Sequence, residues 1–326
     1  MATKRAHGID RILGTVVLAP WAIEAAMLTT IAHVVARRMS GEVFAFDDFE
    51  REDPAPARTE RGLAIIPMHG VLAPRMNALT DISGGTSFEQ LRGQVNAAAA
   101  DKTVRAIVLD IDSCGGSVLG ATETADTIRK AREVKPVYAH ANLTCASAAY
   151  WIAANATEVI ASPSAQIGSV GVYSIHNDLS AALEQLGVKR TYVSAGKFKL
   201  DGVDGLPLNE AALARRQQQV DTCYETFIAD LALGRGVPAA TVRAGFGEGA
   251  CLDAAAALAA GMIDRVEPID ATLARVLRDA APSQPILAAA STPPPTDTPH
   301  EPSPATGHDR VRARRDLQRA ILELQL

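Results

Sequence analysis

Two places in this chain carry residue types whose spacing can do chemistry. One is a serine set between alanines, Ser147 in Thr144-Cys145-Ala146-Ser147-Ala148-Ala149-Tyr150-Trp151-Ile152-Ala153. The other is a pair of lysines further along, in Ala195-Gly196-Lys197-Phe198-Lys199. A serine that opens an apolar, small-residue run sits at the start of a helix. There, unpaired amides and the positive dipole end stabilise charge that develops beside the hydroxyl. A serine hydroxyl is a weak nucleophile at neutral pH and needs a base. Lys199 is the candidate, provided that burial among groups such as Phe198 and Leu200 lowers its pKa from about 10.4. The plain alternative is that Ser147 only caps the helix, a position serine favours.

An upstream pattern weighs against the plain alternative. Arg105-Ala106-Ile107-Val108-Leu109-Asp110-Ile111-Asp112 reads as a buried parallel strand, followed by Ser113-Cys114-Gly115-Gly116-Ser117-Val118 and a helix to about Arg132. Paired glycines let a turn present its amides to a ligand without side-chain obstruction. With Ser147 they can form an oxyanion hole.

Four segments in order then carry a resemblance. Gly115-Gly116-Ser117-Val118, Ala146-Ser147-Ala148-Ala149-Tyr150, Ile167-Gly168-Ser169-Val170-Gly171-Val172 and Gly196-Lys197-Phe198-Lys199-Leu200-Asp201-Gly202 resemble the signal peptide peptidase A family of serine-lysine peptidases. The nearest likeness is to its phage and prophage branch of head-maturation or capsid-assembly proteases. The resemblance spans roughly Leu63 to Glu267. It implies Ser147 as nucleophile, Lys199 as general base and Ser169 as the hydroxyl that orients the lysine amine. The backbone amides of the Gly115-Gly116 turn and of Ala148 are the implied oxyanion donors. It implies no cofactor and no metal. Two departures stand out: Cys114 replaces the usual proline before the glycines, and Ala148-Ala149 replaces a frequent Gly-Gly after the serine. Within the site, Lys197 competes with Lys199, and His140 or His176 offers a conventional histidine base.

The elements that must position these residues alternate between strand and helix. Strands are expected at Leu63–Gly70, Pro136–His140, Glu158–Ala161, Gly168–Ser174 and Lys189–Ser194, with helices at Ser87–Ala100 and Asp178–Leu186. Beyond the lysines, helices are expected at Asn209–Leu233, Pro238–Gly245 and Asp253–Ala260, with a closing strand at Met262–Val266. Such βαβ alternation predicts an α/β fold with a mainly parallel sheet. The resemblance narrows this to a Clp-protease/crotonase-like superhelix of ββα units.

Around this peptidase domain, placed at 62–281, the sequence predicts four further segments. Residues 1–40 read as an N-terminal helical extension, with an amphipathic helix from Ala22 to Arg38 and a Pro20-Trp21-Ala22-Ile23 opening similar to phage-branch proteins. Glu24 interrupts the apolar run Ile12–Val35, which argues against a membrane span. Residues 41–61 are an acidic linker, 282–308 a disordered proline-rich tail and 309–326 a basic helix. The 326 residues are 48% hydrophobic and 21% charged with a net charge of −5, a globular composition with no nucleic-acid footprint over the body of the chain. Four cysteines without paired spacing indicate neither disulfides nor zinc, which fits a reducing cytoplasm.

The function expected is therefore peptide hydrolysis through an acyl-enzyme. Capsid or scaffold proteins are the expected substrates, and a homo-oligomeric ring is the expected assembly, in which neighbouring protomers complete each other's sites. The alternatives are a membrane-associated signal-peptide-degrading peptidase, a crotonase-like acyl-CoA enzyme and a non-catalytic capsid assembly scaffold.

Overall fold

The computed structural model of the protein describes residues 20–24, 57–75, 85–203 and 205–280. The proline-rich tail, the basic C-terminal helix, most of the acidic linker and most of the helix expected from Ala22 to Arg38 fall outside them. The start of that helix is corrected, because Trp21–Ile23 is a strand, β1.

A ten-stranded sheet organises the rest. Its parallel centre is β3 (Leu63–Ala73), β5 (Ala106–Ser117), β6 (Val137–Ala146) and β7 (Glu158–Ala161), with the short β10 (Arg265–Val266) at the edge. Ile107, Val108, Leu109 and Ile111 of β5 are wholly buried, as expected for an uninterrupted apolar strand covered on both faces. β2 (Arg58–Glu60) pairs antiparallel with β3 through a tight turn at Arg61-Gly62, where both residues have positive φ. β2 lies within the segment 41–61 that the sequence reads as an acidic linker.

Helices cover the sheet. α1 (Phe88–Ala100) starts at Ser87, whose Oγ accepts the Gln90 N–H at 3.3 Å. β4 (Thr86–Ser87) pairs with the end of β3 just before it. α2 (Ala121–Val134) buries Ala121, Thr124, Ala125, Ile128 and Ala131, the single face that a 3.6-residue period produces. α3 (Ala148–Ala153) follows β6 and is buried along its whole length.

After β7, the strand expected at Gly168–Ser174 is shorter and earlier, β8 (Gln166–Gly168). The helix expected from Asp178 is one and a half turns, α4 (Ser180–Gln185). The strand expected at Lys189–Ser194 does not form, and Val193 is 95% exposed. α5 (Glu210–Arg235) runs from an Asn209 cap to Gly236 and packs Phe227, Ile228 and Leu231 into the main core. α6 (Ala239–Gly245), β9 (Cys251–Asp253), α7 (Ala254–Ala259) and α8 (Ile269–Asp279) complete the fold, with β9 antiparallel to β8.

Candidate active site

Ser147 occupies the one-residue junction between β6 and α3, at φ 55° and ψ −118°. A non-glycine residue held there costs on the order of 1–3 kcal/mol and persists only when its surroundings enforce it. They do so here. The Ser147 N–H donates to Gly168 O at 2.7 Å, and its carbonyl accepts the Trp151 N–H at 2.9 Å. α3 is itself pinned: the Tyr150 hydroxyl donates to Met262 O at 2.7 Å and Trp151 Nε1 donates to Asp230 Oδ2 at 2.8 Å. The Trp151 ring stacks on Phe227 at 4.2 Å, and Arg129 holds Asp230 from the far side at 3.2 Å.

The capping alternative fails on geometry. Ser147 makes no side-chain bond to the first turn of α3. Its Oγ is buried with no hydrogen-bond partner among the described residues. Leaving a buried hydroxyl unpaired costs about 1–3 kcal/mol more. Strain and an orphaned polar atom at one residue, on a sharp strand-to-helix turn, form the constellation that displays a nucleophile.

The glycine pair lies beside it. β5 does not end at the glycines as the turn reading expects, but continues through Gly115 and Gly116 to Ser117, pairing with Val71 and Leu72 of β3. A Cβ on Gly115 would stand 2.9 Å from Ser147 Cβ and 2.4 Å from Ala22 O, and one on Gly116 would stand 1.9 Å from Leu72 O. The backbone here is packed too closely for any side chain. Of the proposed oxyanion donors, the Gly115 N–H is already engaged, donating to Ser113 Oγ at 3.2 Å. Ser113 Oγ in turn donates to Gly70 O at 2.6 Å. Sequence reasoning missed this positioning role of Ser113, which only the cross-strand approach of β3 creates. Gly116 is paired with Ala22 of β1, while Ala148, as the first residue of α3, has an amide with no carbonyl to meet within the helix.

Ser169 stands in the matching place on the neighbouring strand. Ala146 pairs with Gly168, so Ser147 and Ser169 follow the ends of adjacent parallel strands. Ser169 also has a positive φ, 51°, and its N–H donates to Ala250 O at 2.9 Å. It lines a cavity of about 420 Å³ together with Glu24, Tyr173 and Cys251.

Lys199 makes no hydrogen bond to Ser147 Oγ. It lies exposed in the turn Gly196–Leu200, its N–H bonded to Gly196 O at 3.1 Å. Phe198, expected to help dry its surroundings, is itself half exposed, with Lys197 Nζ 5.1 Å from the ring centroid on one side and Arg215 against the ring. The histidines do not replace it. His140 is buried between Thr272 Oγ1 at 3.0 Å and Ser162 Oγ at 3.1 Å, and burial drives its pKa down to about 4. It precedes Ser147 by seven residues on β6, roughly 20 Å at a strand's rise. His176 Nε2 donates to Leu206 O at 2.9 Å. Burial also raises the Cys114 thiol to about 12, which keeps it protonated and unreactive.

Against known proteins, residues 129–281 match Peptidase family S49. The capsid assembly protease C of Escherichia phage lambda is 33% identical over 226 residues, 68% of this chain and 48% of that protein. The chain carries a Peptidase family S49 domain. The head-tail preconnector protein GP5 of Enterobacteria phage P21 is 31% identical over 223 residues, 68% of this S49 chain and 44% of that relative. The chain thus spans about half the length of the curated relatives it matches. Among solved structures, a mutant of the 1510-N membrane-bound stomatin-specific protease superposes with a TM-score of 0.41 at 16% identity, covering 67% of this chain and 86% of that one. Among the described residues of this S49 chain, no helix is long and apolar enough to cross a membrane.

Proposed function

We propose that this S49 chain is a serine endopeptidase whose Ser147 attacks the scissile carbonyl, with the oxyanion received by the Gly116 and Ala148 amides. The observation that carries the reading is the strained, unpartnered, buried hydroxyl of Ser147 beside a side-chain-free strand. Lys199 acts as the base, and Ser169 orients its amine. Because Lys199 lies on an exposed turn, the dyad closes across an interface with a second copy of the chain, in a homo-oligomeric ring. The acyl-enzyme formed on Ser147 is released by water, giving two peptides.

The proposed substrates are the capsid and scaffold proteins of a phage head, met in the host cytoplasm or in the procapsid. Support comes from the two phage relatives, whose names describe capsid assembly and a head-tail preconnector. The test combines candidate capsid and scaffold proteins with the oligomer and reads the products by mass spectrometry, beside Ser147→Ala and Lys199→Ala. Each variant alone yields no product. An equal mixture of the two, assembled together, regains about a quarter of the wild-type rate, since random assembly joins an intact serine to an intact lysine at one site in four. A mixture as inactive as its parts refutes closure between chains. Product from Ser147→Ala alone refutes the nucleophile.

A further inference from the structure

β1 is only three residues long, yet its Trp21, Ala22 and Ile23 are 1%, 0% and 2% exposed. It is paired on both sides. Along one edge it runs antiparallel to the glycine strand, with Trp21 opposite Ser117, Ala22 opposite Gly116 and Ile23 opposite Gly115. Along the other, Trp21 N–H donates to Tyr173 O at 2.9 Å and Tyr173 N–H returns a bond to Trp21 O at 3.1 Å. A segment this short has no stability of its own as a strand and is held by the groove it fills.

The register places it against the chemistry. Glu24 N–H donates to Cys114 O at 3.0 Å. In an antiparallel ladder, bonded pairs alternate, so the next pair to exchange hydrogen bonds is Ala22 with Gly116. The Ala22 carbonyl therefore takes the Gly116 N–H, one of the two amides left to receive an oxyanion. Ala22 O and Ser147 Cβ lie 2.4 Å and 2.9 Å from one and the same point, where a Gly115 Cβ would be. Beyond Ile23 the groove opens into the cavity that Ile23 and Glu24 share with Ser169 and Tyr173. An extended peptide that adds a strand to an open sheet edge makes this set of contacts.

We propose that Pro20–Glu24 is an intramolecular competitor of the peptide substrate, seated in the groove where that substrate adds its strand to Gly115–Ser117. This rests on the peptidase reading for the groove's purpose, but the competition itself does not depend on catalysis. An external peptide reaches the groove only when β1 withdraws, so its apparent affinity is reduced by the fraction of chains in which the groove is open.

The test is a binding measurement in the full chain carrying Ser147→Ala, so that no cleavage interferes. The probe is a fluorescently tagged Pro-Trp-Ala-Ile-Glu peptide, followed by anisotropy. Ala22→Pro, which removes the N–H that β1 gives to Gly116, is expected to tighten probe binding by about tenfold or more. Trp21→Ala, which empties the buried end of the strand, is expected to act in the same direction. A probe bound equally by the parent and both variants, or by none of them, overturns the proposal, as does loss of the folded sheet, seen by circular dichroism, in both variants. If the probe behaves as expected while Ser147 never becomes acylated, the competitor stands and the peptidase reading falls.

Discussion

Gly116→Ala tests the site's architecture with one methyl group. Gly116 does not have a positive φ, so the substitution acts through contact alone. Its Cβ would stand 1.9 Å from Leu72 O, 2.6 Å from Leu72 C and 2.7 Å from Leu72 N, against 3.4 Å for ordinary contact. These atoms are backbone of β3, so relief requires β3 and β5 to part by about 1.5 Å in a close-packed interior. Overpacking of this kind costs about 1–3 kcal/mol, and a rigid backbone neighbour puts Gly116→Ala at the upper end. Activity falls further, because an active-site group displaced by about 1 Å can lose about a hundredfold, and an oxyanion donor is worth about a hundredfold to a thousandfold. The assay is kcat/KM on a cleavable peptide beside urea unfolding of the same preparation. Gly93→Ala is the control: Gly93 sits exposed in α1, its added Cβ meets nothing within 4 Å, and the variant should gain about 0.5–1 kcal/mol with unchanged activity. A Gly116→Ala variant as stable and as active as wild type would refute the placement of this strand beside the reacting atoms.

Ser147→Gly should abolish activity and raise stability by about 1 kcal/mol over Ser147→Ala, because glycine accepts φ 55° and alanine does not. Urea unfolding of the two variants decides it, and a less stable glycine variant contradicts the strain. His140 sets a pH dependence. The unfolded chain takes up its proton near pH 6.5, whereas the folded chain resists protonation until about pH 4. Stability present above pH 6.5 is therefore lost as the pH falls through this window, by up to about 3 kcal/mol. His140→Asn should flatten that part of the curve, and an unchanged curve refutes the assignment. His69 runs the other way: the Asp110 carboxylate, 3.8 Å from its Nε2, raises its pKa against the opposing effect of burial. That contribution is complete below pH 6.5 and fades as the pH rises through the raised value, which a proton NMR titration of the His69 ring reads directly.

Where local sequence carried the signal, the sequence was enough. The apolar run Ala106–Ile111 and the small-residue helix after Ser147 each express a local preference that the tertiary structure keeps. Caps at Ser87, Asn209 and Asp253 explain why helix starts are met to within a residue. What escaped depends on partners far along the chain. Trp21–Ile23 is too short to show a period, and its pairing comes from Gly115–Ser117 and Tyr173. The anchor of α3 joins Arg129, Trp151 and Asp230 across as many as 101 residues. Thr191 and Val193 have strand propensity, yet the segment around them is not a strand, so propensity alone does not make one there. The strain at Ser147 was legible only as a serine between small residues, since φ is fixed by the turn and not by the residue type.

The most direct measurement is covalent labelling of the assembled protein with a fluorophosphonate, followed by peptide mapping. The account requires one adduct, on the peptide that carries Ser147, absent from Ser147→Ala and strongly reduced in Lys199→Ala. An adduct on another residue, or none on an oligomer that cleaves protein, would contradict it.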